Sequence, residues 1–150
     1  MKLAEALILR SDLQKRMDQL RQRLTDNALV QEGEQPAEDP RQLLAELEGC
    51  AQQLEELVWR INLTNAAAEK DGQVLTKLLA KRDVLTQKVG ILRSLLEAAS
   101  RMVVRGSRSE VKIHSTVEVP ALRRQLDTMS QELRLLDTSI QSANWLIDLM

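Results

Sequence analysis

The sequence predicts an all-α fold: a long-helix antiparallel four-helix bundle with a short extended segment between helices three and four. Three observations carry this. Leucine-rich stripes recur at alternating spacings of three and four through most of the chain, the pattern of helices packed along seams. The aromatic complement is two Trp with no Phe or Tyr, so the core must be built from Leu, Ile, Val, Met and Ala, which suits helix packing. The periodic segments are separated by short stretches carrying Pro, Gly or acidic residues. With 150 residues, 43% of them hydrophobic and 29% charged, the chain reads as a single helical domain, 1–150, that is neither disordered nor membrane-spanning.

The first helix is expected from Leu3 to Asn27, with Leu13, Met17, Leu20 and Leu24 on its seam. Residues 31–40, rich in Glu and Pro, read as a loop. Its end is a helix start: Asp39 can cap, Pro40 suits the first helical position, and Gln42 follows three residues after the cap. The second helix runs from Pro40 to about Lys70 on Leu43, Leu47, Cys50, Leu54, Leu57 and Ile61, and Asp71-Gly72 then makes a tight turn. The third runs from about Val74 to Met102 on Leu75, Leu78, Leu85, Val89, Leu92 and Leu96. Over 103–119, Val111, Ile113, Ser115, Val117 and Val119 alternate with polar residues, which reads as a strand or extended crossing. A lone strand needs a partner, and the same segment of another subunit is one. The fourth helix opens at Pro120 and carries Leu122, Leu126, Met129, Leu133, Leu136, Ile140 and Ile147. No sequence repeat or low-complexity tract is visible.

Polar residues interrupt these stripes at Glu5, Arg10, Asn62, Asn65, Arg82, Asp83, Asp137, Gln141 and Asn144. Folding the helices back across their turns puts these interruptions at about one level. A buried polar layer is costly and needs a reason. One reading is a structural network in which Arg10 and Arg82 pair with Glu5, Asp83 and Asp137 and fix the register. The other is a divalent-metal site, since carboxylates on facing helices are how bundles hold such ions. Its ligands would be Glu5, Asn62, Asn65, Asp83 and Asp137, and oxygen donors favour Mg, Mn or Ca over Zn.

Other signals are plainer. The single histidine, His114, reads as exposed, and the single cysteine, Cys50, as a buried small apolar residue. A net charge of −1 leaves no basic excess for a phosphate backbone, so no nucleic acid is expected as a partner. No apolar stretch approaches the roughly 20 residues of a membrane span, and the N-terminal segment is broken by Glu5 and Arg10, so a cytoplasmic protein without membrane association is expected. Glu32, Glu34, Glu38 and Asp39 form an acidic loop that Arg105 and Arg108 could neutralise. Trp59 and Trp145 lie beside their stripes, as subunit contacts or a second core face. Gly33, Gly72 and Gly106 are isolated, so there is no phosphate-binding glycine loop.

Several short motifs, among them Met1-Lys2-Leu3-Ala4-Glu5-Ala6-Leu7, Val30-Gln31-Glu32-Gly33-Glu34, Ile61-Asn62-Leu63-Thr64-Asn65, Arg82-Asp83 and Leu136-Asp137 with Gln141 and Asn144-Trp145, resemble the septicolysin-like family of small bacterial helical proteins. The resemblance spans essentially the whole chain. It implies an all-α homo-oligomer, a hexamer, with a metal site, and the family label implies membrane-lytic activity. The residues and the resemblance together lead to three expectations, in order. The first is a non-enzymatic, homo-oligomeric cytoplasmic protein with a divalent metal in its polar layer. The second is a metal-dependent hydrolase using that same layer. The third is a membrane-active protein.

Overall fold

The computed structural model describes residues 1–101 and 112–150. These form four long helices and one small antiparallel ribbon: α1 (Leu3–Asp26), α2 (Pro40–Ala67), β1 (Glu69–Lys70), β2 (Gln73–Val74), α3 (Leu75–Ser100) and α4 (Val119–Leu146). The mostly helical reading holds, and the helix ends fall within a few residues of those expected. The chain divides into two compact units, one of Met1–Val74 with Gln141–Met150 and the other of Leu75–Ile140.

In the first unit, α1 carries Leu3, Ala6, Arg10, Leu13, Met17, Leu20 and Leu24 at heptad spacing, and α2 carries Leu43, Leu47, Cys50, Leu54, Leu57, Ile61 and Thr64. Leu3, Leu20, Leu43, Ile61 and Thr64 are essentially inaccessible. Each large apolar side chain so buried contributes about 1.5–3 kcal/mol. Arg16 and Arg23, in the second half of α1, reach Glu46 near the start of α2, so the two helices run antiparallel. The expected start of α2 is present: the Asp39 carboxylate accepts from the Arg41 N–H at 3.0 Å, and Pro40 follows it at the first helical position.

Asp71 and Gly72 both have positive φ, 54° and 76°. Such a two-residue turn matches the twist of a hairpin. It joins β1 to β2, with Glu69 opposite Val74 and Lys70 opposite Gln73. The sequence marked the turn but not the ribbon, because two residues on each side are too few to show alternation.

In the second unit, Leu85, Val89, Leu126 and Met129 form a core cluster, with Leu92, Leu96 and Leu133 packed against it. Lys81 of α3 pairs with Glu132 of α4 at 3.0 Å. Position 81 thus meets 132 while 85 and 89 meet 126 and 129, so this pair is antiparallel too.

The seams correct the expectation that the sequence holds no repeat. Leu3, Arg10, Leu13, Leu20 and Leu24 of α1 correspond in register to Leu75, Arg82, Leu85, Leu92 and Leu96 of α3. Leu43, Leu47, Leu54, Leu57, Ile61 and Asn65 of α2 correspond to Leu122, Leu126, Leu133, Leu136, Ile140 and Asn144 of α4. The likeness is concentrated at seam positions, and few of the residues between them agree.

Of the strand expected over 103–119, Val111 and its preceding residues lie outside the described residues, as do Arg105 and Arg108. Residues 112–118 form no strand. The Ser115 hydroxyl donates to the Val117 carbonyl at 2.9 Å, a local turn, and Ile113 and His114 are exposed.

Candidate functional site

The polar layer expected at one level is not a buried layer. Glu5, Asn62, Asp83, Asp137 and Gln141 are exposed, Asn65 is half-buried, and of this set Asn144 alone is buried. The reason is geometric. Steps of four lead back from Leu13 through Leu9 to Glu5, and on from Leu54 through Val58 to Asn62. Four residues exceed one helical turn by about 40°, so two such steps turn the side chain some 80° away. The seam instead follows Leu3, Ala6 and Arg10, and Leu57, Ile61 and Thr64, leaving Glu5 and Asn62 on outer faces.

Two of the carboxylates have local partners. Glu5 accepts from the Lys2 backbone N–H at 2.6 Å, satisfying a donor that the start of α1 would otherwise leave free. Asp83 accepts two hydrogen bonds from its neighbour Arg82, 3.1 Å from Nε and 2.8 Å from Nη2. Arg10 keeps its place on the seam, its Nε buried with no hydrogen-bond partner among the described residues. No group of three or more His, Cys, Asp or Glu side chains among the described residues comes together to hold a metal.

The most built polar constellation lies in the first unit, where the ends of α1 and α2 meet residues 146–150. Leu3 N–H donates to the Ile147 carbonyl and Leu149 N–H to the Met1 carbonyl, both at 2.9 Å, flanking an antiparallel bridge between Lys2 and Asp148. Lys2 Nζ donates to the Leu146 carbonyl at 3.0 Å and pairs with Asp148 at 2.9 Å. That pairing holds the Asp148 carboxyl below its ordinary range. From α2, Arg60 Nε donates to the Met150 carbonyl at 2.7 Å. Thr64, fully buried, donates its hydroxyl to the Arg60 carbonyl at 2.8 Å and accepts from the Met150 N–H at 3.0 Å. This clasp orders the segment after α4 and keeps Leu149 buried.

At the other end of α1 and α2, the guanidinium of Arg23 grips the carboxylate of Glu38, with Nε donating to both oxygens at 3.1 and 3.0 Å and Nη2 donating as well. Hydrogen bonding by Arg23 holds the Glu38 carboxyl below its usual range, and Glu38 raises Arg23 in turn. Asn27 Oδ1 accepts from the Glu38 N–H at 3.0 Å and so ties the loop to α1. Neither constellation was legible in the sequence. Their partners are separated by long intervals, and a lysine, a threonine and an arginine on a helix carry no signal of whom they meet.

The remaining feature is apolar and outward. Trp59 is 59% exposed and Trp145 56%, and Val84, Ile91 and Leu95 stand exposed on one stripe of α3. Cys50 is buried on the α2 seam, as expected. No helix among the described residues is long and apolar enough to cross a membrane.

Residues 10–149 match a family of unknown function, DUF6847. The chain belongs to that family. A solved structure, of a functionally unknown conserved protein from Corynebacterium diphtheriae, is similar over 100% of this chain and 99% of its own, with 40% identity and a TM-score of 0.94. No curated protein matches. These findings overturn the resemblance to septicolysin-like proteins, since neither the DUF6847 match nor the Corynebacterium structure carries that link. The motifs that suggested it are accounted for by the fold: Glu5 serves the start of α1, Gly33 occupies a positive φ of 83°, and Ile61 and Thr64 are seam residues. The hexamer and the lytic activity rested on that resemblance and lose their support with it.

Proposed function

We propose that this member of DUF6847 acts without catalysis, as a self-assembling helical interaction protein. One observation carries the reading: helices that already bury one seam present a second, exposed apolar stripe. On α3 this is Val84, Ile91 and Leu95, and on α2 it is Trp59 and Leu63. A helix exposed to solvent throughout its outer face needs no such stripe, and large apolar side chains recurring on an exposed face support a contact with another chain. The self-association expected from the sequence is kept, without a fixed number of copies. A divalent metal on Glu5, Asn62, Asn65, Asp83 and Asp137, and the hydrolase reading that needs it, are left out of the proposal. Glu5 and Asp83 are engaged locally, and Asn62 and Asp137 face solvent.

Sedimentation velocity of the full chain at micromolar concentration tests the reading. The expected species is a multiple of the 17.0 kDa chain. A monomer at every concentration up to the millimolar range would refute it.

A further inference from the structure

The outer faces of α2 and α3 are opposite in charge and alike in spacing. On α2, Glu48, Gln52, Glu55, Trp59 and Asn62 recur at steps of four and three, all exposed. Glu56 joins Glu55, Trp59 and Asn62 around a shallow groove on this face. On α3, Lys77, Lys81, Val84, Lys88, Ile91 and Leu95 recur at the same steps, also exposed, and the three lysines and Val84 line a groove of their own. Glu48 and Glu55 are seven residues apart, as are Lys81 and Lys88. Two helical turns on one face therefore match two on the other, whichever way the helices run. Apolar side chains with flanking charges of one sign on each helix are the composition by which helices choose partners.

We propose that the acidic outer face of α2 docks on the basic outer face of α3 of a second copy of this chain. The proposal rests on the self-assembly reading above and names the surfaces that carry it. Charge complementarity selects the occupant, since each face finds its complement on another copy. Lys77 and Lys88 have no ion pair with a described residue. Lys81 pairs with Glu132 across two exposed side chains, a bond that a stronger acidic neighbour can replace. Trp59 supplies the large apolar contact on the acidic side, and Val84 and Ile91 receive it on the basic side. Because the two faces differ, α2 of one copy meets α3 of another, and every copy offers both faces.

Charge reversal on the full chain tests this. Glu48→Lys with Glu55→Lys makes one protein, and Lys81→Glu with Lys88→Glu makes another. All four positions are exposed, so helix content by circular dichroism is expected to match the parent. Each double variant alone meets like charge with like, and its dissociation constant for self-association is expected to rise roughly a hundredfold. Mixed in equal amounts, the two variants present only complementary faces, and assembly is expected to return. A chain carrying all four reversals is likewise expected to assemble alone. If the parent assembles and both double variants assemble equally well, the docking surfaces are wrong while self-assembly stands. Dissociated variants that fail to reassemble on mixing overturn the pairing of these two faces. A monomeric parent overturns the self-assembly reading itself.

Discussion

Thr64→Val is the sharpest perturbation of the clasp. Valine keeps the shape of threonine and has a similar helix propensity, so neither a cavity nor a propensity change enters. What is lost is the hydroxyl, which is fully buried, accepts from the Met150 N–H at 3.0 Å and donates to the Arg60 carbonyl at 2.8 Å. The second bond matters little, because such back-bonding to the preceding turn adds nothing to a carbonyl already within the α2 ladder. The first decides the magnitude. A net hydrogen bond contributes roughly 1 kcal/mol, and a donor left beside a methyl group adds part of its desolvation, so the variant is expected to lose about 1–2 kcal/mol. Equilibrium urea unfolding would show a lower midpoint with an unchanged slope. Amide exchange at Met150 would quicken while that of the α1 seam stays near the parent's. A variant with the parent's midpoint and the parent's Met150 exchange would refute the claim that Thr64 anchors this segment.

Acidification tests the Arg23–Glu38 pair. Hydrogen bonding lowers the Glu38 carboxyl in the fold, so its contribution is complete above the ordinary carboxylate range and disappears as pH falls through the lowered value. The parent's unfolding midpoint should therefore drop more on acidification than that of Glu38→Gln, and parallel curves would mean that the pair contributes nothing. Native mass spectra before and after chelation should show the same masses and the same assembly. Loss of discrete metal masses would return Glu5, Asn62, Asn65, Asp83 and Asp137 to consideration as ligands.

The helices were legible in the sequence because a seam repeats and repetition averages out local exceptions. Leu43 to Ile61 and Leu75 to Leu96 are each marked several times over, and Asp39-Pro40 and Asp71-Gly72 punctuate them with residues whose backbone preferences leave little choice. The polar residues were not legible, because an interruption is a single event. Arg10 and Arg82 do lie on seams, but Glu5 and Asp137 lie beside them, and a sequence does not state how wide the buried stripe is. Glu5 shows the difficulty best: its spacing fitted an inward carboxylate, while its partner is a backbone donor three residues away. Thr64, the buried polar residue of the clasp, lies on an apolar stripe, where a threonine is unremarkable until its acceptor role is seen. The charged outer faces of α2 and α3 were equally hidden, since solvated faces carry lysine and glutamate as a matter of course.

The placement of the aromatic residues determines what light reports about this protein. With no tyrosine or phenylalanine, near-ultraviolet absorption and emission come from Trp59 and Trp145 alone, and both stand more than half exposed. The leucine core is optically silent. Intrinsic fluorescence of an isolated chain would therefore change little as that core melts, and would understate unfolding that circular dichroism records in full. The same placement makes the emission a surface gauge: a blue shift at constant helix content would register the covering of an indole by another molecule.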